Sequence, residues 1–188
     1  MNEADLGRVL PASLHQGIAD LLPARLDFYE SWLNPKAMRD GRIGLAPLNA
    51  VLSFLRREGE AYQTVSARGG EYAADWLMAD LGGLERRLVT GAPLWLRRRL
   101  AGRLVHRLIR DTYRPTRVAV RWRKGQGTIA VSMSLFCVVR EPVAAPLCEY
   151  YAAASRRLLE QCAVSGTVST GSCRGMGDAQ CVLHVTPS

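Results

Sequence analysis

Apolar residues recur every three or four positions through the first 111 residues and then change to strict alternation. Residues 5–33 carry Leu14, Ile18, Leu21 and Leu22 at helical spacing. Pro11 suits a first helical turn, and Pro23 divides the stretch into two pieces. The second piece presents Leu26, Phe28, Tyr29, Trp32 and Leu33, a wide apolar face suited to a core or a dimer surface. Asn34 to Gly44 reads as a polar connection. Residues 45–58 predict a helix with Leu48, Val51, Leu52 and Leu55 on one face, closed by Arg56, Arg57 and Gly59. Residues 61–81 predict another, carrying Tyr72, Ala73, Trp76, Leu77 and Leu81. Gly69 and Gly70 fall inside that pattern, where each glycine costs about 1 kcal/mol against alanine. Either a neighbour or ligand packs closely on the backbone there, or the helix breaks in two. Across residues 84–111, Trp95, Leu96, Leu100, Leu104 and Leu108 mark an apolar stripe, and Arg99, Arg103 and Arg107 recur on another face.

The period becomes two at Thr116. Val118, Val120 and Trp122 face one way, and Arg117, Arg121 and Arg123 the other. Lys124 to Gly127 supplies a turn, and Ile129 to Val139 predicts a longer returning strand. A helix over 147–162, a short Ser/Thr-rich strand and a final apolar strand complete the chain. The order implies an α+β fold, an antiparallel sheet with helices packed against it. It is read as one domain, residues 1–188, with a mainly helical half (1–111) and a second half (112–188) of hairpin, helix and cysteine-bearing strands.

Composition narrows this picture. Hydrophobic residues make up 48% of the 188, which excludes a disordered chain and allows a real core. No apolar run reaches the length of a membrane span. The acidic start, Met1 to Asp5, lacks an apolar signal region, so a cytoplasmic protein with reduced thiols is expected. The net charge is +8, carried almost entirely by arginine. From Arg86 to Lys124 there are thirteen Lys/Arg against one acid, Asp111. Such a segment is either a solvated helix surface or a site for anions: a ligand's carboxylates, an acidic partner, or an anionic membrane touched peripherally. Nucleic acid is not expected, because no motif of the common binding classes is present.

The residues with most chemistry are cysteines. Cys173-x3-Gly177-x3-Cys181 spans a turn signal, Gly177-Asp178, that folds Cys181 back toward Cys173. Cys148, opening the preceding helix, can meet both. The spacing proposes a three-thiol cluster. Thiols filling core positions and a disulfide are the other readings, although five cysteines suit a disulfide framework poorly. No Walker loop, dinucleotide fingerprint or nucleophile elbow is present, and His15, His106 and His184 have no motif around them.

The segment from Ser134 through Cys148 to Val185 resembles the 4-vinyl-reductase domain family, on Pro146, Cys148, Cys173, Gly177 and Cys181. Thr170 stands where the family has an acidic residue. The resemblance covers about fifty residues well. It implies a fold similar to the small TRAPP vesicle-tethering subunits, shared with a bacteriochlorophyll-biosynthesis protein and with phenol-responsive sensor domains. It also implies a structural zinc site at Cys148, Cys173 and Cys181, which in the sensors resembles three cysteines and a glutamate. Cys137 is a possible fourth ligand here. His184 is disfavoured, since side chains alternate along a strand and it opposes Cys181. Cys162 lies 14 residues beyond Cys148, about four helical turns, and cannot join.

These features together lead to a small-molecule binding or carrier protein with an apolar pocket between sheet and helices. The resemblance suggests a tetrapyrrole or other aromatic ligand, in a role accessory to (bacterio)chlorophyll-type biosynthesis, with a homodimer and a biosynthetic enzyme as partners. Tyr72, Trp76, Trp95, Arg99 and Arg103 are the candidate ligand residues, because guanidinium groups bind carboxylates bidentately. A vinyl reductase or cysteine-dependent enzyme, and a dimeric scaffold for partner proteins, are the alternatives.

Overall fold

The computed structural model describes residues 6–186; the N-terminal stretch discussed above, Met1 to Asp5, lies outside them, as do residues 187–188. Helix α1 (Val9–Leu21) buries Leu10, Leu14 and Ile18, and a 3-10 turn at Pro23–Arg25 leads into α2 (Leu26–Glu30), so Pro23 does divide two helices. Tyr29 and Leu33 are buried, whereas Phe28 and Trp32 are exposed and lean on Phe54. The supposed connection at Asn34–Gly44 contains a short helix, α3 (Pro35–Arg39). Its start is fixed by Asn34, whose side chain accepts from the Lys36 and Ala37 N–H groups. Helix α4 (Leu45–Arg57) buries the expected Leu48, Val51, Leu52 and Leu55.

Helix α5 (Glu60–Ala79) runs unbroken through Gly69 and Gly70. The pair exists for close approach. A Cβ on Gly70 would stand 2.2 Å from the Tyr150 carbonyl oxygen, and one on Gly69 3.2 Å from that of Ser13. Gly17 makes the matching contact from α1, where a Cβ would lie 2.9 Å from the Val65 carbonyl oxygen. Three helix backbones are therefore stacked almost in touch: α1 on α5, and α5 on α8 (Glu149–Gln161). The helical run 84–111 is divided at Ala92-Pro93 into α6 (Gly83–Gly91) and α7 (Leu94–Thr112).

The sheet has strand order β1-β2-β4-β3, antiparallel throughout: β1 is Arg117–Arg123, β2 Gln126–Ser132, β3 Thr167–Ser172 and β4 Cys181–Thr186. The β1–β2 turn needs only two residues, Lys124 and Gly125, both at positive φ (50° and 87°), the geometry that matches strand twist. Gly127 lies within β2, where the Trp122 ring covers it. One face of the sheet is buried, through Ile129, Val131, Leu183 and Val185, and carries α7 on β1 and α8 at β3. The other face, with Arg117, Ala119, Arg121 and His184, is exposed. The expected long return strand stops at Ser132. Met133 takes φ 60°, a left-handed conformation that breaks the ladder, and the chain turns into a 3-10 turn at Leu135–Cys137.

Candidate metal centre and ligand groove

Four segments deliver four thiols to one point. Cys148 caps the start of α8, Cys137 closes the 3-10 turn after Met133, Cys173 follows β3 and Cys181 opens β4. The link between the last two is held by Gly177 at φ 101° and by the Asp178 carboxylate, which accepts from the Cys173 N–H at 2.8 Å. The loop before Cys148 is clamped by α5: the Tyr62 hydroxyl donates to the Leu147 carbonyl at 2.9 Å, and the Gln63 amide to that of Pro146 at 2.8 Å.

All four sulfurs are buried and lie within 4.8 Å of one another. Cys137 is 3.5 Å from Cys148, 3.5 Å from Cys173 and 3.4 Å from Cys181, and Cys148 is 3.3 Å from Cys173. The cysteines are free, so the disulfide reading does not hold. A sulfur tetrahedron around a zinc ion has edges of about 3.8 Å, from Zn–S bonds near 2.3 Å. The cluster is close to that size. Cys137 occupies the fourth corner, Thr170 sits on β3 opposite Leu183, and His184 is exposed on the far face. Cys162 is buried separately, its thiol pushed up to about 11 by burial.

The Cys173 thiol is pulled far below its ordinary range, first by the Cys137 thiol, then by those of Cys148 and Cys181, with the Leu147 N–H donating at 3.3 Å. Cys137 is also lowered, first by its bond with Cys148. Cys148 and Cys181 are raised, each first by its bond with Cys137. A divalent ion would compensate negative charge that burial otherwise disfavours on these sulfurs. Four buried thiols this close can hold a metal ion.

A second feature lies between α7 and β1. Gly102 brings the helix against the strand: a Cβ there would be 3.2 Å from Val120 Cγ1 and 3.3 Å from Trp122 Nε1. Beside this contact runs a groove of 360 Å³ lined by Arg99, Gly102, Arg103, His106, Val120 and Trp122. It continues past His106 into a 510 Å³ depression lined by Arg110, Arg114, Arg117, Thr116, Val118 and Met133, among others. The Trp122 indole N–H is buried without a hydrogen-bond partner, and the Arg98 guanidinium lies 5.9 Å from the Trp122 ring centroid.

The structure brings Arg99 and Arg103 to this groove and leaves the three candidate aromatics outside its lining. Tyr72 and Trp76 lie side by side along α5, their rings tilted by 33° with centroids 5.9 Å apart, and the Tyr72 hydroxyl donates to Asp20 at 2.6 Å. That bond, then Arg68, holds the Asp20 carboxyl below its usual range. Trp95 stands 67% exposed at the start of α7. The interior between sheet and helices, where an apolar pocket was expected, is filled by Phe136, Tyr150 and Tyr151, packed ring on ring. Trp122, His106 and Gly102 were not anticipated as site residues. The inward alternation of Trp122 was the one signal that could have found it. Two arginines of the basic segment serve the fold. Arg97 donates to the Cys162 and Ala163 carbonyls at the end of α8, and Arg86 to the Met78 and Ala79 carbonyls at the end of α5.

No protein-family model matches the chain, and no curated protein matches it in sequence. Among solved structures it is similar to the phenol-responsive sensory domain of the transcription activator PoxR, determined with phenol. The TM-score is 0.52 at 13% identity, over 76% of this chain and 74% of that one. The two share a fold. The resemblance of residues 134–185 to the 4-vinyl-reductase domain rests on its motif residues alone. Among the described residues, no helix is long and apolar enough to cross a membrane.

Proposed function

We propose that this chain is a small-molecule binding module of the 4-vinyl-reductase type, stapled by a structural zinc ion and serving as a carrier or sensor. Zinc would be held by Cys137, Cys148, Cys173 and Cys181. Its chemistry there is that of a cross-link, since four thiolates leave no open position for substrate. The ion ties the 3-10 turn, α8 and the β3–β4 hairpin together.

The ligand lies in the groove between α7 and β1. The observation that carries this reading is the groove itself, rimmed by Arg99 and Arg103 and walled by Trp122, whose indole N–H is packed against Gly102 without a hydrogen-bond partner. The basic rim selects an anion, and Trp122 with Val120 offers an apolar wall. The length of the groove, continuing past His106 to Arg110 and Arg114, suits an extended aromatic acid better than a single ring. A tetrapyrrole with propionate arms is the ligand we favour. The shared fold with a phenol-responsive domain supports an aromatic ligand in this architecture.

The test is titration of the zinc-loaded protein with protoporphyrin IX and, separately, with phenol, read by the Soret band and by tryptophan fluorescence. Saturable porphyrin binding is expected, weakened about tenfold or more by Arg99→Ala with Arg103→Ala and by Trp122→Phe. Absence of saturable binding by either compound would overturn the ligand assignment. Elemental analysis should give one zinc per chain, and a metal-free protein with an unchanged melting temperature would overturn the staple.

A further inference from the structure

We propose that the corner formed by α6 and the first turn of α7 is a docking surface for an anionic lipid bilayer. Helix α6 buries a single residue, Val89. Its Leu84 and Leu88, four apart and so on one face, are 75% and 46% exposed. Across Ala92-Pro93, Leu94 and Trp95 are 42% and 67% exposed. Single exposed leucines are ordinary on a protein surface, but four large apolar side chains within twelve residues mark a contact region.

The charge around them selects the occupant. Arg86 and Arg97 are committed to helix ends, but Arg87, Arg99 and Arg103 have no acidic partner among the described residues. A second copy of the chain would bring the same basic surface face to face, in a molecule of net charge +8. Nucleic acid would leave Leu84 and Leu88 against phosphates. An anionic bilayer satisfies both sets. Leucine and tryptophan enter the interfacial region, and arginine stems lie along it with their heads at lipid phosphates. The association is peripheral, consistent with the lack of a spanning helix among the described residues. This surface adjoins the ligand groove and shares Arg99 and Arg103 with it, so the variants below are taken from residues outside the groove lining.

The experiment is cosedimentation of the purified full chain with vesicles of phosphatidylcholine alone and of phosphatidylcholine mixed with phosphatidylglycerol, at low and high salt. Binding is expected to the mixed vesicles only and to fall with salt, because the arginine contribution is screened. Leu84→Ser with Leu88→Ser, Trp95→Ser, and Arg87→Glu should each weaken partition about tenfold or more, the first two by removing apolar area that enters the interface and the third by reversing a charge. These positions are exposed, so melting temperature and porphyrin binding should not change. Four results would overturn the proposal: no binding to the mixed vesicles, equal binding to phosphatidylcholine alone, full binding by all three variants, or a dimer in light scattering that the variants dissociate.

Discussion

Cys137 is the residue on which the metal centre turns. Three thiols leave a structural zinc site one ligand short, and Cys137 makes three of the four shortest sulfur contacts, at 3.4–3.5 Å. Cys137→Ser should weaken zinc affinity at least about hundredfold, because lost supporting groups alone cost 10- to 100-fold at metal sites. Competition against a chromogenic chelator measures this. Cys162→Ser should leave zinc binding unchanged and lower stability modestly by burying a hydroxyl, which separates ligand loss from core damage. The other three candidate ligands were legible in the sequence because a short motif brings them together: Gly177 reverses the chain between Cys173 and Cys181, and Cys148 opens a helix. Cys137 was only a possibility. Its position depends on Met133 taking a left-handed conformation, which ends β2 early. Nothing in a run of residues suited to a strand announces that break.

At the scale of elements, the boundaries of α4, α5 and α8 follow from period and punctuation, and the structure places them within two residues of expectation. What periodicity cannot show is which backbone comes near. Gly69-Gly70 was equally a break or a contact, and the decision lies in Tyr150, eighty residues on. Gly70→Ala would drive a methyl group to 2.2 Å from a backbone oxygen that two packed helices hold in place. Urea denaturation should show a loss of about 1–3 kcal/mol. Gly91→Ala, at the end of α6 with nothing within 4 Å of the added carbon, should instead be neutral or stabilise by about 0.4–1 kcal/mol. Equal effects at both sites would mean that α5 and α8 are not in close backbone contact. The ligand groove was only half legible for a related reason. The arginines of α7 advertise themselves by spacing, but their partner Trp122 lies on a strand, and only the packing of α7 on β1 unites them.

On the scale of the whole molecule, the distant parts are tied by buried tyrosine hydroxyls. Tyr150 on α8 meets Ser13 of α1 at 2.9 Å, and Tyr62 on α5 reaches the carbonyl before Cys148. Burial raises the ionisation of Tyr62, Tyr150 and Tyr151 far above the ordinary 10.0. Burial, then Glu58, pushes Tyr29 up to about 12. A raised folded-state value means that the native state keeps protons which the unfolded chain releases. The stabilisation is therefore complete below pH 10 and declines as pH rises from there toward the folded values. Unfolding free energy should show little tyrosine-linked slope below about pH 9 and fall steeply above 10. Absorbance at 295 nm checks the cause. Tyr72 is also raised, first by the bond its hydroxyl donates to Asp20, and the buried tyrosines should ionise only together with loss of near-ultraviolet circular dichroism. If all six tyrosines titrated smoothly near 10 with the fold intact, the hydroxyls would have to be in contact with water, and the helical layers joined through Ser13 and Leu147 could not be packed as described. Tyr150→Phe removes one ionisable group and should flatten the alkaline slope, at the cost at neutral pH of one of the two hydrogen bonds of Ser13, whose hydroxyl still donates to the Leu10 carbonyl.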